Sequence, residues 1–430
     1  MDLINEINDT FDEKKVIEGH SFTFEWLLSS LKENDLLFNQ KYGNRAVKNI
    51  TTKCISTGNG FLSVVLQCKI EFTDSAESDS FSDVYTVLLK IPGIQALLEA
   101  RNNSEAKNED FSEDFIKRLI EFLKCECYFY QNLASILDIS IPKIYSMKEW
   151  ILNEKEGCIL MEDLSFKSKC LSYFESANLA QIRNIIENLA HLHKNCLTSD
   201  TEKWKGKFLK NQTWLSDTIK GMETEIEPFF KKCGREKDFN YLIKKLKPFF
   251  LNPSFYNYVT QQHIHDLNIQ PVLIHADLYP GNILWNTDKN GEIQNTIAAF
   301  IDWQLWCEGS PMADIARFCC QCCDGSTRRK AETFIIDFYL KCLTTEFNGE
   351  QKIPPYTHEQ LKKSYQLCFL SQAFQTLGMT TFMSANSQIK DTRILQANFD
   401  FGVLKALHAW EDCLWILEGD LKDVFEKYGK

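Results

Sequence analysis

The sequence has no apolar stretch of the roughly 18–20 residues needed to cross a bilayer, and so predicts no membrane span. Its opening, MDLINEINDTFDEKK, is acidic and lacks the charged-then-apolar layout of a secretory signal, which makes a cytoplasmic protein the expectation. Basic residues are in deficit: 48 Lys and Arg against 59 Asp and Glu leave a net charge of −11. That balance argues against a general nucleic-acid or anionic-membrane binder, both of which need basic patches. The short run KWKGKFLK (Lys203–Lys210) is read as a solvated face. There is no internal repeat, no low-complexity linker and no feature that demands an obligate protein partner. Zinc-finger spacing is missing as well, although the chain holds 16 cysteines. In CCQCC (Cys319–Cys323) the residues Cys319, Cys322 and Cys323 share one helical face with Ile315 and Phe318, so they read as apolar packing in a reducing compartment.

What is present is a large, aromatic-rich globular chain. Its 430 residues exceed the roughly 250–300 at which a single core stops growing, so two lobes are expected. A hydrophobic share of 44% with 31 phenylalanines argues against extensive disorder. Residues 1–48 read as an N-terminal helical extension. The stretch 49–164 is strand-rich: NGFLSVVLQCKIEF (Asn59–Phe72), SDVYTVLLK (Ser82–Lys90), PKIYSMKEW (Pro142–Trp150) and GCILMEDL (Gly157–Leu164), with one helix over about Ser112–Leu133. Residues 165–430 read as helical, interrupted at 272–304 by short strands and loops. An α+β chain results, with a smaller β-rich part ahead of a larger α-helical one.

Two apolar runs in that interruption are broken by carboxylates: LIHADLYPGNILW holds Asp277 and AAFIDWQLW holds Asp302. An unpaired carboxylate is costly to bury, so each needs water, a cation or a reacting partner, and no cation stands beside either in sequence. The pattern His275-x-Asp277-x-x-x-x-Asn282, followed by Asp302, suits phosphoryl transfer. Mg²⁺ is a hard cation that takes oxygen ligands, which Asn282 and Asp302 could supply while Asp277 receives the proton of an acceptor hydroxyl. Upstream, Gly58-x-Gly60-x-x-Ser63 could let backbone N–H groups approach phosphates, or could be a plain hairpin turn. Lys90 ends an apolar strand, where it could reach phosphates or lie solvated. Glu126 interrupts KCECYFYQNL and could pair with Lys90 or face water. The two histidines of the predicted helix around 179–195, His191 and His193, are read as packing residues.

The phrases LLKIPG (Leu88–Gly93), ECYFY (Glu126–Tyr130), ILMEDLS (Ile159–Ser165), LIHADLYPGNILW and AFIDWQLWCEGSPMADIARF (Ala299–Phe318) resemble the CHK kinase-like family. That family lies in the branch of aminoglycoside phosphotransferases and choline kinases. The resemblance implies a bilobal protein-kinase-like fold and an ATP- and Mg²⁺-dependent kinase acting on a small-molecule alcohol, such as a steroid or xenobiotic. It further implies that the backbone of Glu162 and Leu164 holds adenine, that Lys90 and Glu126 are the strand lysine and helix glutamate, and that His275 and Asp314 are structural. Alternatives are a choline or ethanolamine kinase, or a nucleotide-binding pseudokinase serving as an interaction module. Tyr279, Trp303 and Trp306 could line an acceptor pocket or belong to the core, the latter favoured for Trp306. Two departures stand out. Ser63 replaces the third glycine of protein kinases, and Ala276 replaces the family's usual glycine, which matters only if the backbone there needs positive φ.

Overall fold

A computed structural model of the chain describes residues 11–17, 19–56, 62–74, 83–93, 113–208, 224, 226–348 and 352–429. Contacts divide the chain into two units: Met1–Cys127 with Pro142–Phe166, and Tyr128–Ile141 with Lys167–Lys430. Gly58 and Gly60 lie outside the described residues.

The first unit is built on a five-stranded antiparallel sheet of order β1-β2-β3-β5-β4: β1 Val47–Cys54, β2 Ser63–Phe72, β3 Val84–Pro92, β4 Ile144–Lys148 and β5 Cys158–Glu162. Along β2 the side chains alternate, and Leu66, Cys68, Ile70 and Phe72 all point into the core. The N-terminal residues belong to this core. The helix Phe24–Asn34 starts at Thr23, whose hydroxyl accepts from the Trp26 N–H, with Glu25 in the first turn and Lys32 in the last, both favourable to the helix dipole. Its residues Leu27, Leu28 and Leu31 pack in one cluster with Ile70, Val87 and Leu160 of the sheet. A second helix, Leu36–Tyr42, is capped by Asp35, whose carboxylate is buried and also accepts from the Tyr85 hydroxyl. Of the described residues ahead of the sheet, Ile17, Phe22 and buried apolar residues of both helices therefore share its core.

The second unit is mainly helical. Its helix Leu179–Thr198 opens with a capping box between Asn178 and Gln181 and buries Ile182, Ile185, Ile186 and Leu189. Two long helices, His358–Ala385 and Thr392–Glu418, pack together through a close approach at Gly402. A Cβ on Gly402 would stand 2.5 Å from Thr380 Cγ2, which explains a glycine in that helix despite its poor propensity. The helix Ala313–Cys322 packs on His358–Ala385. It is buried on nearly every side, Cys320 and Gln321 included, which is more than the one apolar face that the spacing predicts.

Set among these helices are two small antiparallel sheets. In one, Ile283–Thr287 lies between Ser168–Lys169 and Ile293–Phe300; in the other, Val272–Ile274 pairs with Cys307–Gly309. No helix among the described residues is long and apolar enough to cross a membrane.

Candidate functional site

Register brings the second unit's polar residues together. Ile283 pairs with Phe300, so the residues just outside the pair, Asn282 and Ile301, are adjacent, and the Ile301 N–H donates to the Asn282 carbonyl at 3.1 Å. Asp302 follows immediately, in the left-handed region at φ 67°. Aspartate tolerates that region better than most residues. At the other end of the loop, the Asn282 side-chain N–H₂ donates to the Asp277 carbonyl at 2.9 Å and to Asp277 Oδ2 at 3.2 Å. With the amide nitrogen turned to Asp277, the amide oxygen is the end of Asn282 left to meet a cation.

His275 ties these loops to each other. Its Nδ1 accepts from the Asp277 N–H at 3.2 Å, so Nε2 carries the proton and donates to the Ile301 carbonyl at 2.9 Å. The ring is fully buried and lies 4.4 Å from the Trp303 ring. Asp314 anchors the turn from below: its carboxylate accepts from the backbone N–H of His275 at 2.6 Å and of Ala276 at 2.9 Å. Burial pushes the Asp314 carboxyl above the usual range, and those two donors together with His275 and Arg317 oppose the shift. Just after the second of these amides, Ala276 has φ 65°. The condition under which alanine is a poor substitute for glycine is thus met, and the chain carries strain beside Asp277.

Asp277 is not without a cation. Arg317, 40 residues on, donates from Nη2 to Asp277 Oδ1 at 2.5 Å, while its Nη1 is held by Gln372 Oε1 at 2.8 Å and Gln375 Oε1 at 3.1 Å. Both glutamines stand on the His358–Ala385 helix. Sequence reasoning missed this arginine, although it is the only cation in AFIDWQLWCEGSPMADIARF and follows Asp314 by one helical turn.

The aromatic residues divide. Trp303 and Trp306 are each 1% exposed. Trp303 stacks flat on Phe129 with centroids 3.9 Å apart, so of the two alternatives left open for it the core one holds, as favoured for Trp306. Tyr279 is half-buried, and its ring folds over Gly281, where a Cβ would stand 2.6 Å from the phenolic oxygen. Burial first, then the charges of Asp277 and Asp302, push its phenol well above the usual range, so it remains a protonated donor near both acids.

In the first unit, the alternatives of a solvated Lys90 and an exposed Glu126 fail. Lys90 is 8% exposed and Glu126 1%, and the ammonium bonds both carboxylate oxygens at 2.9 and 2.7 Å. A buried pair of this kind is weak evidence for stability alone, because desolvation offsets most of the attraction. Ser63 is buried at the start of β2, opposite Pro92. Glu162 gives its N–H to the Lys143 carbonyl at 2.8 Å, so an adenine contact there would go through its own carbonyl. Asp163 pins the segment before Leu164, accepting from Gln67 Nε2 at 2.8 Å and from the Ser165 N–H at 2.9 Å.

Among the described residues, no three His, Cys, Asp or Glu side chains gather as a metal cage. An ion held by Asp302 and Asn282 would take its remaining ligands from water or phosphate, which is how Mg²⁺ is usually bound.

The fold has counterparts. The choline kinase of Cryptosporidium parvum superposes with a TM-score of 0.51 at 12% identity, over 92% of this chain and 97% of that one, a likeness of fold alone. In sequence, an uncharacterized kinase-like protein of Caenorhabditis elegans, D1044.1, is 28% identical over 324 residues, covering 75% of this chain and 80% of that protein. The uncharacterized oxidoreductase dhs-27 of the same organism is 27% identical over 380 residues, 87% of this chain, and the chain spans only 44% of its length. Residues 38–402 match the family DUF1679, described as uncharacterized oxidoreductase dhs-27. The chain therefore belongs to the DUF1679 family and carries a protein-kinase-like α+β fold, with a small antiparallel-sheet unit and a larger helical one.

Proposed function

We propose that the protein is an ATP- and Mg²⁺-dependent phosphotransferase whose acceptor is the hydroxyl of a small molecule. The observation that carries this reading is the gathering of Asp277, Asn282 and Asp302 at one end of the Ile283–Phe300 pairing: the Asn282 amide is tied to the Asp277 carbonyl, and Asp302 follows Ile301, whose N–H donates to the Asn282 carbonyl. Asp302 and the amide oxygen of Asn282 would hold Mg²⁺, which supplies neutralisation of the phosphate charge. Lys90, oriented by Glu126, would place its ammonium on the phosphates, and the backbone of Glu162 and Leu164 would hold adenine. Asp277 would orient the acceptor hydroxyl and receive its proton. Catalysis of this kind comes mainly from positioning and electrostatics, which suits residues held as firmly as these.

The oxidoreductase name of one relative finds little support here. The strand pairings described are all antiparallel. A dinucleotide fold instead needs a parallel sheet with ligand at its switch point. The test is transfer of radiolabelled γ-phosphate from Mg-ATP to a panel of choline, ethanolamine, a hydroxysteroid and a simple sugar, with Asp277→Asn as the control. A labelled product that depends on Asp277 supports the reading. Nucleotide binding without transfer to any acceptor or to water would leave the pseudokinase alternative in its place.

A further inference from the structure

Arg317 stands beside Asp277, and the sequence motifs assign nothing to it. It is 8% exposed, and its partners are chemically unequal: one carboxylate oxygen and two neutral amide oxygens. Its Nε is buried without a hydrogen-bond partner among the described residues. A guanidinium placed only for packing would use its five donors more fully, since each buried donor left unmade is costly. The side chain is instead stretched between Asp277 and the Gln372 and Gln375 pair of another helix, which fixes the direction from which it meets the acid.

That direction makes the two oxygens of Asp277 different. Oδ1 takes the charged Arg317 contact at 2.5 Å, while Oδ2, among the described residues, has only the 3.2 Å contact from the Asn282 amide, whose shorter bond goes to the backbone carbonyl. Building on the phosphotransferase reading, we infer that Arg317 is a positioning residue that anchors Asp277 through Oδ1, so that Oδ2 is the oxygen presented to the acceptor. In the transfer step, the acceptor oxygen forms its bond to the γ-phosphorus, the bond from that phosphorus to the ADP oxygen breaks, and the hydroxyl proton passes to Oδ2. Gln372 and Gln375 hold the arginine in turn, so the His358–Ala385 helix sets the geometry of an acid on a distant loop.

The experiment compares full-length wild type with Arg317→Gln, Arg317→Lys, Asp277→Asn and the Arg317→Gln/Asp277→Asn double variant. It reads thermal stability, the ATP KM, and kcat for transfer from Mg-ATP to water and to the acceptor panel. The expected result for Arg317→Gln is a kcat about 100-fold lower, the scale of a small misplacement of a reacting group, with the ATP KM little changed. Arg317→Lys, which keeps the charge but not the fork, should recover part of the loss. The double variant should be no slower than Asp277→Asn alone and should fold even if Arg317→Gln leaves an uncompensated acid. Wild-type turnover with full kcat in both Arg317 variants would overturn the inference and leave the phosphotransferase reading intact. Losses that multiply in the double variant would also overturn it. Absence of any turnover in wild type would overturn both.

Discussion

Replacing Ala276 with glycine should stabilise the protein, against the usual sign for that substitution. At φ 65° a Cβ-bearing residue pays about 1–2 kcal/mol for the left-handed conformation. Glycine removes that cost but widens the unfolded ensemble, which returns about 0.4–1 kcal/mol. The net expectation is a gain of about 0.5–1 kcal/mol, or roughly 1–3 °C in Tm for a unit of this size. The Asp314 carboxylate should hold the turn in place in either case, because it bonds backbone N–H groups that glycine also has. Scanning calorimetry of wild type, Ala276→Gly and Ala276→Val measures the effect, with the exposed helical Ala397→Gly as a reference expected to lose about 1 kcal/mol. Ala276→Val, β-branched and at positive φ, should lose stability. A loss at Ala276→Gly equal to that at Ala397→Gly would refute the argument that strain is stored beside Asp277.

Breaking the Lys90–Glu126 pair from one side, by Glu126→Gln or Lys90→Met, should cost about 3–5 kcal/mol, whereas the Lys90→Met/Glu126→Leu double variant should recover most of it. Urea unfolding of the four proteins checks this, and equal losses in single and double variants would contradict it. His263 is fully buried, and burial lowers its pKa to about 4, against about 6.5 for the unfolded chain. The neutral ring therefore contributes stability in full above about pH 6.5, and the contribution is lost as pH falls from there towards 4. His193, lowered to about 3 by burial, acts in the same sense over a wider range. Denaturant midpoints measured from pH 4 to 7 should fall less steeply in His263→Asn than in wild type, once both are compared with their own pH 7 values.

The sequence shows its elements best where periodicity is strict. The alternation of Leu66, Cys68, Ile70 and Phe72 and the helical spacing of Ile182, Ile185, Ile186 and Leu189 both survive in the structure, because each pattern reports which face is buried. His275, Asp277, Asn282 and Asp302 were visible as polar breaks in apolar runs, and register then made them neighbours. Three features were not legible. Arg317 reaches Asp277 across 40 residues by helix packing, which no local pattern encodes. The positive φ at Ala276 belongs to a turn whose N–H groups are held by Asp314, 38 residues later in the chain. The burial of Trp303 follows from a stack on Phe129, more than 170 residues earlier in the chain. Gly58 and Gly60 fall outside the described residues.

The proposed nucleotide site would be completed by a metal that Asp302 helps to hold. Thermal unfolding of wild type and Asp302→Ala, each with ATP alone, Mg²⁺ alone and both, tests it most directly. Ligand at a hundred times its Kd should add about 2.7 kcal/mol to stability. The account predicts a rise in wild type that needs both ATP and Mg²⁺ and largely disappears in Asp302→Ala. No shift in wild type at millimolar Mg-ATP, or an equal shift in the two proteins, would contradict it.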